Sequence, residues 1–242
     1  MFPIKDSVPS YHTPLVLYAL LLANVFVFIF SMEQDSIQEF FHDFGFTPLR
    51  LTAFLSGENA DIGALMTLMT SMFLHGGLAH IIGNLWTLWI FGDNVEDRMG
   101  SLRFLVFYVL CGIIASLVHW LFNPLSNMPS VGASGAISGV LGAYFLLYPL
   151  ARIIVLVPVF FWPFFFDVPA MFYLIVWFFG QIIGAQLAPD DPNVGGIAFA
   201  AHIGGFVAGL LLMPFFLRRE QKQYTPPLGV DTAWFFHDSR RK

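Results

Sequence analysis

Five stretches of this chain contain no aspartate, glutamate, lysine or arginine: residues 7–32, 62–92, 104–151, 168–189 and 192–217. A helix that crosses a bilayer needs about 20 predominantly apolar residues, and these stretches supply them several times over. Of the 242 residues, 57% are hydrophobic and 11% charged, against roughly 25% charged in a soluble domain. With 29 Phe and 6 Trp, a single globule of this size cannot hide its apolar surface from water, so much of that surface must face lipid. A soluble enzyme and a disordered chain are both excluded.

The stretch 104–151 is too long for one crossing, and Asn123-Pro124-Leu125-Ser126-Asn127-Met128-Pro129 divides it with a turn. The spacing predicts six spans, at 14–32, 75–95, 102–122, 131–149, 168–187 and 197–217, giving an all-α polytopic membrane protein built as a six-helix bundle. Residues 153–166 are apolar but short and are interrupted by Pro158 and Pro163, which predicts an interfacial or re-entrant loop. Six spans put every lysine and arginine except Arg50 on one face, which the positive-inside rule makes the cytoplasm. Both termini then lie there, and the first loop, 33–74, faces outward. The organisation read from this is a cytoplasmic segment 1–13, a membrane domain 14–217 and a cytoplasmic tail 218–242. The first apolar run is followed by Ser31-Met32-Glu33 rather than a small-residue cleavage site, so it is expected to remain as an anchor. A compact chain without a targeting extension is expected in a prokaryotic plasma (inner) membrane. The net charge of −5 includes no basic stripe, which argues against nucleic acid. Cys111 stands alone and forms no disulfide within the chain.

Polar groups inside spans are costly, and each is a candidate for function. Span two reads His75-Gly76-Gly77-Leu78-Ala79-His80-Ile81-Ile82-Gly83-Asn84. His80 and Asn84, four apart, share a helix face, whereas His75 and His80 diverge by about 140°. That divergence, with no carboxylate or thiolate nearby, argues against a metal held by His75, His80 and His202. Span four opens Val131-Gly132-Ala133-Ser134-Gly135, which sets Ser134 near the amino end of a helix, where free N–H groups can hold an oxyanion. Span six carries His202 next to Gly205-x-x-x-Gly209. The small residues of spans four and six also suit plain helix packing, and a buried histidine can merely bridge helices. Helix rise puts Ser134, His202 and His80 at one depth, roughly 5 to 8 Å below the outer surface. A serine beside a histidine is a nucleophile with its general base. His80, Asn84 and the Ser134 N–H could donate to the oxyanion.

His80-x-x-x-Asn84, Gly132-Ala133-Ser134-Gly135 and Ala201-His202-Ile203-Gly204-Gly205, in that order in a six-span chain, resemble the rhomboid family of intramembrane serine proteases over residues 14–217. Glu96-Asp97-Arg98 is similar to a Glu-x-Arg feature of that family with a structural role. The resemblance implies a rhomboid-like bundle in which Ser134 is the nucleophile, His202 the base, and His80 and Asn84 stabilise the oxyanion, with no cofactor or metal. It implies transmembrane proteins as substrates, cleaved next to small residues where the helix unwinds, with entry involving span five and a lid at 188–196. Two features depart from the pattern. Met66 and Thr67 stand where many members have Trp-Arg in the first loop, and Ser138 stands where some have an aromatic residue stacked on the histidine. Three other readings are open on the residues: a catalytically silent relative that binds transmembrane helices, a small proton-coupled transporter, and a structural scaffold.

Overall fold

The fold is taken from a computed structural model that describes residues 2–160, 162–187 and 198–218. Each apolar stretch is helical close to where the spans are expected. The helices are α1 Leu15–Met32, α5 Leu78–Met99, α6 Ser101–Phe122, α7 Ser134–Leu147, α8 Ala170–Leu187 and α9 Phe199–Phe216. Between α1 and α5 the first loop folds into three short helices, α2 Ile37–Phe44, α3 Pro48–Leu55 and α4 Gly63–Thr70. A single 3₁₀ turn, Ser71–Phe73, follows α4. Among the described residues, α1, α6, α8 and α9 are long and apolar enough to cross a membrane alone, and α5 joins them if it is taken with the bent segment Gly63–Phe73. The chain is a multi-pass membrane protein with a helical bundle. The shortest of the six helices, α7, has 14 residues, or about 21 Å of rise against a hydrocarbon core of about 30 Å. It is also the most enclosed, with every residue from Gly135 to Tyr144 buried.

The segment 153–166 is not a loop. It forms most of a hairpin of β2 Arg152–Val159 and β3 Trp162–Pro169, to which β1 Phe2–Asp6 adds a third antiparallel strand in the order β1-β2-β3. The prolines that end a helix here pair with each other, Pro158 opposite Pro163, near the tip, where Phe160 takes a φ of 54°. A positive φ is what tight two-residue hairpin turns require. Ile153 and Val155 are buried in the helical core, and the β-branched run suits extended backbone. Strand β1 lies along α5: the Trp86 indole donates to the Pro3 carbonyl at 2.6 Å and the Asn94 amide to that of Val8 at 3.1 Å.

Glu96 has a definite task. It accepts from the Val16 and Leu17 N–H groups at 3.0 and 2.7 Å and from the Ser101 hydroxyl at 2.6 Å, so it caps the amino end of α1 from α5. A carboxylate there satisfies free N–H groups and complements the helix dipole. Asp97 in turn accepts from the backbone and ring of His12. The expected lid 188–196 and nearly all of the tail lie outside the described residues.

Candidate active site

Helix α7 is clasped by α6 and α9 through surfaces from which side chains are missing. A Cβ on Gly205 would lie 2.0 Å from the Gly135 carbonyl oxygen, and one on Gly209 2.0 Å from that of Gly139. On the other side a Cβ on Gly139 would meet Cys111 at 2.4 Å. The packing reading of these small residues is therefore right for the glycines, and backbone contact of this kind is how membrane helices approach closely. The same approach brings two polar groups together. The Ser134 hydroxyl lies 2.8 Å from His202 Nε2, a contact between the first residue of α7 and the fourth of α9.

Ser134 stands at the very start of its helix. Gly132, at φ +127°, keeps the chain out of helical geometry, and its N–H is tied to the Ser71 carbonyl at 2.9 Å. Ala133 caps α7 without a side-chain hydrogen bond, so the first N–H groups of the helix lack intrahelical partners. Gly132 also leaves room for two donors. A Cβ there would sit 2.8 Å from His80 Nε2 and 3.6 Å from Asn84 Nδ2. The Gly76 N–H points at His80 Nδ1 at 3.4 Å. Neutral His80 then carries its proton on Nε2, toward the site. Asn84 is buried, and its Nδ2 has no partner among the described residues. A buried orphan donor is costly and calls for an acceptor.

His75 is elsewhere. It is fully buried with both ring nitrogens unpartnered among the described residues, and its ring meets that of His80 edge-on at 5.1 Å. Among the described residues no group of three metal-ligating side chains converges.

The far side of His202 holds a residue that the sequence reading does not single out. Gln181 on α8 brings Oε1 to 2.7 Å from His202 Nδ1, while its Nε2 donates to the Trp177 carbonyl at 3.3 Å. The Trp177 ring lies 6.3 Å from the imidazole, tilted by 32°. The Ser138 hydroxyl donates back to the Ser134 carbonyl at 2.7 Å. A search for a carboxylate as third partner passes over an amide. The available signal was that Gln181 is a polar side chain in a charge-free span.

The first loop is held by Arg50. Its Nε and Nη2 donate to Asp61 Oδ2 at 3.0 and 2.8 Å and its Nη1 to the His42 carbonyl at 2.7 Å, which joins α2, α3 and the start of α4. The guanidinium holds the Asp61 carboxyl below its ordinary range, chiefly through that hydrogen bond. Thr67 is buried and donates to its own helix at Ala64, and Met66 is exposed. The loop reaches the site through the pairing of Phe46 with Ser130.

A family profile described as Rhomboid domain matches residues 63–219. Rhomboid protease GluP of Bacillus subtilis (strain 168) is 46% identical over 100 residues, covering 40% of this chain and 19% of that protein. Rhomboid protein 1, mitochondrial, of Saccharomyces cerevisiae is 29% identical over 174 residues, 70% of this chain and 47% of its own length. RHOMBOID-like protein 1 of Arabidopsis thaliana is 27% identical over 233 residues, 87% and 55% respectively. The chain thus spans from 19% to 55% of the length of these relatives. It belongs to the rhomboid family, which includes named proteases.

Proposed function

We propose that this chain is an intramembrane serine endopeptidase that cleaves transmembrane segments of other proteins. The observation that carries the reading is the 2.8 Å contact between Ser134 Oγ and His202 Nε2, delivered by two separate helices. Ser134 attacks a peptide carbonyl while His202 Nε2 takes the hydroxyl proton. The resulting oxyanion accepts from Asn84 Nδ2, from the His80 Nε2–H and from N–H groups at the start of α7. Collapse of this intermediate breaks the C–N bond, the histidine returns the proton to the leaving amine, and an acyl ester remains on Ser134. Water, deprotonated by the same histidine, then hydrolyses the ester. An intact helix keeps its carbonyls in hydrogen bonds, so the substrate must unwind locally before attack. The reading includes six crossings with both termini cytoplasmic, the site near the outer surface, and residence in a prokaryotic plasma membrane. It needs no metal or cofactor.

The test is cleavage of a tagged single-span reporter by the purified protein in detergent. The parent should release the tagged domain, and Ser134→Ala and His202→Ala should each lose at least about 10³-fold in rate, as removing a nucleophile or its base does. Turnover that persists in both variants would rule the mechanism out. A silent helix-binding relative is the competing reading, and it predicts reporter binding with no product from the parent.

A further inference from the structure

We propose that Gln181 is the positioning residue of the catalytic base: it fixes the tautomer and plane of His202 from α8. This rests on the serine protease reading above and adds a third participant to it. A neutral imidazole carries one proton. To accept the Ser134 proton at Nε2, His202 must carry its own at Nδ1, and a buried N–H needs an acceptor. Gln181 Oε1, 2.7 Å away, is that acceptor.

The amide cannot equally well be turned round. Its Nε2 donates to the Trp177 carbonyl one helical turn back, which leaves Oε1 as the atom facing the imidazole. When His202 takes the serine proton, the Nδ1–H bond to Oε1 persists and the amide dipole supports the imidazolium. A glutamine does this without placing a carboxylate in the membrane, where a charge is expensive. It also fills the part left open by Ser138, a small side chain whose hydroxyl is engaged with the Ser134 carbonyl.

Gln181 rides on a helix whose fully buried residues lie at its base. The Ala170 and Met171 N–H groups bond to the Ala151 and Pro149 carbonyls, and Ala170 and Leu174 are its fully buried residues. Phe172, Val176, Phe179 and Ile183 line an exposed apolar stripe. Farther along, α8 meets α9 through Trp177 and Phe178 against Phe206, and through Gln181 against His202. The orientation of the base is therefore tied to the seating of α8. If α8 moves away from α9, Nδ1 loses its acceptor and the tautomer that can activate Ser134 loses its preference.

Two readouts test this on the purified full-length protein. The first is the ¹⁵N shift of the His202 ring in Ser134→Ala protein, which needs no turnover. It should report Nδ1–H, and Ser134→Ala/Gln181→Leu should report a mixture of tautomers or Nε2–H. The second is kinetic. Gln181→Leu should lower kcat on the reporter about 10- to 100-fold with KM little changed, a part of the 10²- to 10⁴-fold that a general base supplies. Gln181→Glu should recover much of the rate, with the acidic limb of its pH–rate profile moved to higher pH because a carboxylate favours the imidazolium. An Nε2–H tautomer in Ser134→Ala protein, or a Gln181→Leu enzyme with parental kcat, would overturn the proposal. So would a Glu variant as slow as the Leu variant with an unmoved pH limb. Failure of the protease reading looks different, because the parent itself would then yield no Ser134-dependent product.

Discussion

Asn84 is the residue whose surroundings say most about the site. A buried amide nitrogen with no partner, beside a glycine in which any Cβ would crowd His80, is a donor held ready at a structural cost. If it serves the oxyanion, Asn84→Ala should lower kcat about 10²- to 10³-fold with little effect on KM. The same change should leave thermal stability unchanged or raise it, since an unsatisfied buried group is removed. Michaelis kinetics on the reporter and a melting curve check both at once, and a parental kcat would remove Asn84 from the mechanism. Ser134, His80, Asn84 and His202 stood out in the sequence as candidates for one physical reason: polar groups are conspicuous where lipid is the solvent. Gln181 met the same criterion and went unread, because a glutamine is a common helix residue and the imidazole it serves lies on another helix.

At the scale of elements, the six apolar helices were readable to within a few residues because charge-free stretches form most of each, although α5 runs on through Asp93, Glu96, Asp97 and Arg98 and α6 holds Arg103. The cause of the start of α7 was not, since it lies in the backbone of Gly132 and its tie to Ser71 rather than in composition. Nor was the hairpin. A short apolar run with two prolines has no period that separates strand from loop, and its pairing partner β1 lies about 150 residues away in sequence. That sheet carries a titratable joint. Asp6 on β1 accepts from the Tyr144 hydroxyl on α7 at 2.6 Å, and burial pushes its carboxyl up to about 6 from an ordinary 3.8. Between those values the docked strand holds a proton that a detached one has released, so docking weakens as pH rises through the window. Hydrogen-exchange protection of the β1 strand should accordingly be lower at pH 7 than at pH 5, and Asp6→Asn should flatten the dependence. Protection that increases with pH in the parent would contradict this.

The molecule as a whole is arranged around its shortest helix. Helices α6 and α9 enclose α7 through glycine contacts, α5 lends His80 and Asn84, α8 lends Gln181, and the first loop, held by Arg50 and Asp61, reaches the segment before Ser134 at Ser130. The proposed participants come from four helices, α5, α7, α8 and α9, so the candidate site exists only when the bundle is assembled. The most direct test of the central claim is intact-mass and peptide analysis after treatment with a fluorophosphonate, which labels a serine only when a neighbouring base activates it. The account predicts one adduct on the parent, located at Ser134, and none on His202→Ala under the same conditions. An unmodified parent, or labelling of Ser134 that survives loss of His202, would contradict it.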